Sequence, residues 1–206
     1  MEQTPDQPSR VEQIRRKIEL LQLDLEAEMA KRRAELRFGL ERGRAVFEAE
    51  ILRRHRELKE NLFAYLVRTR PLVALTAPVI YGMIIPLVFV DICASIYQAI
   101  CFPIYRIPMV KRSDYFQYDR AGLAYLNVLQ KLNCAYCSYG NGVAGYLREI
   151  AGRTEAFWCP IKHARKSVDA HEHYARFADF GDAEGFQKIA KDGVSIEMHH
   201  ATQLPA

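Results

Sequence analysis

Cys134-Ala-Tyr-Cys137 and, 21 residues later, Cys159-Pro-Ile-Lys-His163 are the residues whose types and spacing carry chemistry. A C-x2-C pair lets one tight turn aim two thiolates at a single ion. Cys159 and His163 are four apart at the start of a predicted helix, so both can face one way. Together the four match a tetrahedral zinc site of three cysteines and one histidine. With no open coordination position, that zinc is expected to be structural. A small domain with a thin core gains much of its folding free energy from such a staple.

The alternatives at these residues are an iron–sulfur cluster, a thiol–disulfide pair or plain buried thiols. The redox pair is disfavoured because no βαβ pattern surrounds the C-x2-C. Ser138 stands where a c-type haem motif needs histidine. Gly140 and Gly142 read as the flexible backbone of a metal knuckle, and Tyr136, Tyr139, Phe157 and Trp158 as its packing. His171 and His173, two apart, diverge on a helix, and either alone is a substitute for His163. No Gly-rich phosphate loop, Ser-His-Asp set or HExxH occurs. No catalytic residue is therefore assigned, and the expectation leans away from an enzyme. Were the site an iron–sulfur cluster or an open zinc, Glu149 and Glu155 between the ligand pairs would be the acid–base candidates. The activity would then be electron transfer or lipid modification.

These residues need elements to hold them, and the chain divides into four parts. Residues 1–70 read as one long charged helix. Ser9 and Glu12 have the form of a capping box, and Val11, Ile14, Ile18, Leu21 and Leu25 follow steps of three and four. No proline interrupts residues 9–70, and Gly39 and Gly43 are the weak points. So narrow a stripe on so long a helix requires a partner. A coiled coil, or a protein partner, is expected through residues 10–66.

Residues 71–108 form the membrane segment. Its first twenty residues, from Pro71 to Val90, carry no charge and match the length needed to cross a bilayer. Pro78 and Pro86 predict kinks. From Leu87 to Phe102, Asp91, Ser95 and Gln98 share one helical face, as in a helix lying in the interface. Arg68 and Arg70 precede the segment and Arg106, Lys111 and Arg112 follow it, so charge does not orient it. A re-entrant hairpin with both flanks in the cytoplasm is favoured over a single span.

Residues 109–192 read as a small helical domain carrying the metal. Asp119 is the expected N-cap of a helix through Leu123–Leu132, a loop spans Asn133–Asn141, and shorter helices follow. One break falls at Gly181. Residues 193–206, with His199 and His200, read as a frayed tail.

The formal charge is +4, and residues 10–70 hold 16 Lys/Arg against 11 Asp/Glu. That excess is insufficient for nucleic acid without a docking motif or stacking aromatics, so nucleic acid is not the expected partner. Lys162, Arg165 and Lys166 read as an ordinary solvated face. Five cysteines without an apolar leader point to a reducing compartment.

Several motifs together are familiar: Tyr105-Arg-Ile-Pro-Met-Val-Lys-Arg-Ser-Asp-Tyr115, Tyr125-Leu-Asn127, Lys131-Leu-Asn-Cys-Ala-Tyr-Cys137, Arg148-Glu-Ile-Ala-Gly-Arg153 and Trp158-Cys-Pro-Ile-Lys-His-Ala164. Over roughly residues 71–190 the chain resembles a family of uncharacterised proteobacterial membrane-associated proteins. The resemblance implies a bacterial origin, and that the membrane segment and the cysteine module belong together. It transfers no catalytic residue, because no activity is established for that family. The expected protein is mainly α-helical: a scaffold or adaptor on the cytoplasmic face of the inner membrane, contacting lipid and a second copy or partner protein.

Overall fold

The computed structural model describes residues 10–192 apart from 37, 42, 43, 69, 166 and 169. The proposed Ser9 cap and the tail with His199 and His200 lie outside the described residues. The chain is mainly helical and forms two compact units, one ending at Leu58 and the other beginning at Lys59.

The first unit starts with α1 (Arg10–Glu35), on which Ile14, Ile18, Leu21 and Leu25 are exposed. The helix does not continue to residue 70 as expected. A hairpin of β1 (Phe38–Glu41) and β2 (Arg44–Phe47) replaces it, paired Phe38↔Phe47 through Glu41↔Arg44. The physical reason is local. Each glycine costs a helix interior about 1 kcal/mol, and Gly39 and Gly43 fall together here. Phe38, Val46 and Phe47 prefer a pleated surface, and the Phe38 and Phe47 rings meet at 5.2 Å. Helix α2 (Ala49–Glu57) follows, with His55 edge-on to Phe47.

The second unit opens with α3 (Leu62–Arg68), α4 (Pro71–Leu75), α5 (Ala77–Gly82) and α6 (Ile84–Tyr105). The prolines explain the segmentation. Pro71, Pro78 and Pro86 each stand in a first turn, where a missing N–H costs nothing and the preceding helix ends. Pro71–Tyr105 is, among the described residues, one helical stretch long and apolar enough to cross a membrane.

α6 is built inside out relative to a helix of a water-soluble protein. Its buried residues are Asp91, Ala94, Gln98 and Phe102, a stripe of steps of three and four. Its exposed residues include Ile85, Val88, Phe89, Ile92, Ile96, Ile100 and Ile104. The helix ends at Arg106 in the left-handed conformation (φ 58°), where the Ile107 N–H reaches back to the Phe102 carbonyl at 2.9 Å.

Residues 107–127 then return along α6, and α7 (Val128–Trp158) runs alongside it. Contacts fix the direction: Tyr81 meets Asn133, Asp91 meets Tyr139, Gln98 meets Tyr146, and Tyr105 stacks on Phe157. Both numbers rise together, so α6 and α7 are parallel neighbours. Phe102, Ile107, Val110, Tyr146 and Ile150 form the core between them and the returning segment.

Asn127, not Asp119, caps α7. Its side chain accepts from the Gln130 N–H while the Gln130 side chain accepts from the Asn127 N–H, each at 2.9 Å. Asp119 instead begins a short 3-10 turn, Asp119–Gly122. The expected loop at Asn133–Asn141 is helical throughout, and the glycines just after it serve packing. A Cβ at Gly142 would lie 2.7 Å from the Phe116 ring, and one at Gly145 3.0 Å from Tyr115. Beyond α7 come a 3-10 turn (Glu172–Arg176), Gly181 at φ +87° and α8 (Ala183–Asp192), with the break at Gly181 as the sequence predicts.

Candidate functional site

The side chains with most chemistry lie along the seam between α6, the returning segment and α7. At one level Asp91, only 6 % exposed, receives both arms of the Arg112 guanidinium, the second at 2.6 Å, and the Tyr139 hydroxyl at 2.9 Å. The Arg112 cation also lies 3.9 Å from the centre of the Phe116 ring. This geometry neutralises a carboxylate that the apolar surroundings of α6 would otherwise penalise heavily. The Asp91 carboxylate raises the Arg112 pKa further above its ordinary value. Burial, then the bond to Asp91, pushes the Tyr139 phenol up.

Two turns further on, Gln98 satisfies three groups. Its amide oxygen accepts the Val110 N–H at 2.7 Å, and its nitrogen donates to the Val110 carbonyl at 3.3 Å and to the Tyr146 hydroxyl at 2.9 Å. The irregular segment is thereby buried without losing its main-chain hydrogen bonds.

A third level sits on the far half of α7. Arg153, 4 % exposed, donates to Glu149 at 2.7 Å and to the Pro108 carbonyl at 2.6 Å. His173 Nε2 lies 3.0 Å from the same Glu149 oxygen, and His171 Nε2 lies 2.8 Å from Glu155. Burial opposes ionisation of Glu149, but the bonds from His173 and Arg153 overcome it and hold its pKa at about 2. A carboxylate so strongly ionised is a poor proton donor near neutrality. Burial, then the neighbouring Glu149, pushes the Tyr115 phenol to about 12.

His171 and His173 do not diverge as expected on a helix. Both turn towards α7, their rings 5.7 Å apart, because they flank the start of a 3-10 turn that docks there. Gly152 makes room for this docking; a Cβ there would stand 2.9 Å from the His171 ring.

The four residues expected to share a metal do not converge. Cys134 and Cys137 are one turn apart on α7, whereas Cys159 is its C-cap and His163 lies beyond it. Twenty-one residues of continuous helix lie between Cys137 and Cys159, a rise of roughly 33 Å at 1.5 Å per residue. A shared ion requires all four donors within about 2.3 Å of one point. The His163 main-chain N–H donates to the Tyr174 hydroxyl at 2.6 Å and its ring lies alongside that of Tyr174. Among the described residues no three of His, Cys, Asp and Glu are grouped to hold a metal ion.

Sequence spacing alone missed the buried pairs Asp91–Arg112 and Glu149–His173. A signal existed for the first: an acid inside an apolar run needs a cation, and Arg112 was within one helix length. No family model, curated protein or solved structure matches the chain.

Proposed function

We propose that this protein is a membrane-attached helical scaffold that enters lipid from one side through α4–α6. The observation that carries the reading is the inverted pattern of α6, with its polar residues turned inward and isoleucine, valine and phenylalanine outward. In water such a surface is a large exposed apolar patch; against lipid it is the stable arrangement.

Attachment from one side is favoured over a span by what packs on α6. If α6 crossed the bilayer, parallel α7 would cross with it and bring exposed Asn141 and Arg148 into hydrocarbon. With α6 lying in the interface, α7 faces water above it. The cations on either flank then remain on one side, and the sequence resemblance supports the cytoplasmic face of a bacterial inner membrane. The exposed stripe of α1 supplies the scaffold's association surface, with a second copy of the chain as its partner. A shared zinc among Cys134, Cys137, Cys159 and His163 forms no part of this reading.

The test is vesicle flotation of full-length protein beside an Ile92→Asp/Ile96→Asp variant, without detergent and at high salt. Flotation of the wild type and loss in the variant is the expected result. A wild-type chain that stays at the bottom of the gradient would refute the attachment.

A further inference from the structure

A groove of about 650 Å³ runs between α6 and α7 on the flank away from the returning segment. Phe89, Cys93 and Tyr97 form one wall, and Leu147, Ala151 and Trp158 the other. We propose that this groove holds one acyl chain of a membrane lipid, with the lipid's polar end at Thr154 and Glu155.

Three observations select that occupant. The groove is continuous with the outward face of α6: Phe89 belongs to both, and Ile92, Ile96 and Ile100 extend the same apolar surface. An occupant arriving from that side comes from the lipid phase. The lining is also graded. It is apolar from Phe89 and Val90 through Ala94 and Leu147, and its polar groups, Thr154, Glu155 and Cys159, gather at one end. An apolar slot with a few polar groups at its mouth is the shape an amphiphile fits.

Finally, the polar end is held in place. Thr154 donates to the Ile150 carbonyl at 2.7 Å, so Tyr97 donates to Thr154 at 3.1 Å, and Glu155 is fixed by His171 at 2.8 Å. Trp158, half-exposed beside them and packed on Tyr105, is the kind of side chain that settles at the headgroup level. The groove therefore opens along its length on the lipid-facing side of α6, with its polar groups gathered at one end. This inference rests on the attachment proposed above.

Trp158 is the chain's one tryptophan, so its fluorescence reports on this groove alone. Full-length protein in detergent is titrated with a phospholipid brominated on one acyl chain, because bromine quenches tryptophan on contact. The expected result is saturable quenching of at least half the signal, reversed by the unbrominated lipid. Ala151→Phe, which fills the slot, should abolish the saturable phase, whereas Ala144→Phe, exposed elsewhere on α7, should retain it. Quenching that grows in proportion to lipid without saturating, or is the same in Ala151→Phe, would overturn the proposal. Flotation of the same proteins separates the two ideas. A wild type and Ala151→Phe that float without saturable quenching would sink the groove and leave the attachment standing.

Discussion

Gln98 grips both main-chain polar groups of Val110, accepting from the N–H at 2.7 Å and donating to the carbonyl at 3.3 Å. A side-chain amide thus replaces the neighbouring strand that an extended segment would ordinarily need. Gln98→Leu leaves the Val110 donor and acceptor buried without partners and should cost about 2–4 kcal/mol. Gln98→Glu keeps the acceptor but turns a carboxylate oxygen on the Val110 carbonyl, so it should be at least as damaging. Thermal unfolding in detergent measures both; a glutamate variant as stable as wild type would show that the carbonyl bond contributes nothing.

Asp91 and Arg112 form the other tie between α6 and the returning segment. Removing the cation alone, in Arg112→Leu, leaves a buried carboxylate and should destabilise by about 2–3 kcal/mol, below the full buried-pair penalty because Arg112 is partly exposed. The double variant Asp91→Leu/Arg112→Leu should recover part of that loss. A double variant no better than the single would show that the ring contact with Phe116 dominates.

Close approach on α7 gives a steric prediction. Gly142→Ala places a methyl group 2.7 Å from the Phe116 ring and should cost about 1–3 kcal/mol. Adding Phe116→Leu should relieve it. Gly82→Ala, where a Cβ meets nothing within 4 Å, is the control. Equal melting temperatures for Gly142→Ala and Gly82→Ala would count against the packing described.

Acid should loosen the far half of α7. The Glu149 pKa falls from an ordinary 4.5 to about 2 on folding, so the folded state holds the carboxylate ionised. Its contribution, about 3 kcal/mol, is complete above the ordinary value and is lost as pH falls from about 5 to 2. Glu149→Gln should flatten the stability profile over that window while lowering stability near neutrality. An unchanged acid limb in the variant would place the acid sensitivity elsewhere.

Metal analysis addresses the cysteines. With α7 continuous, Cys134→Ser and Cys159→Ser should act independently, and neither should change metal bound through the other pair. One zinc per chain that each substitution alone abolishes would mean that α7 breaks when metal is present.

Much of the second unit was legible in the sequence, and the reasons are specific. The uncharged run and its prolines located the long apolar helical stretch and the breaks within it, because a charge-free length and a missing N–H impose hard constraints. The shared face of Asp91 and Gln98 was visible from helical spacing alone. What the two residues bind was not, since Val110, Arg112, Tyr139 and Tyr146 come together only when the chain folds back. Gly142 and the C-x2-C pair can be read two ways for one reason. Glycine and cysteine spacing carries the same signal for a metal knuckle as for a helix face needing close contact, and only Phe116 and Tyr115 decide between them. The hairpin at Phe38–Phe47 was missed because a charge-rich helical pattern on either side outweighed two glycines in the reading.

The parallel course of α6 and α7 sets a delay during synthesis. Groups on α6 meet their α7 partners 48 residues later at Asp91–Tyr139 and Gln98–Tyr146, and Tyr81 on α5 meets Asn133 52 later. A ribosome adding about 5–20 residues per second needs roughly 2–10 seconds to deliver them. For that interval α6 already shows its isoleucines while its acid and amide lack their α7 partners. What the interval leaves uncovered is the inward face of α6, with Asp91 and Gln98, since the isoleucines stay exposed in the finished fold.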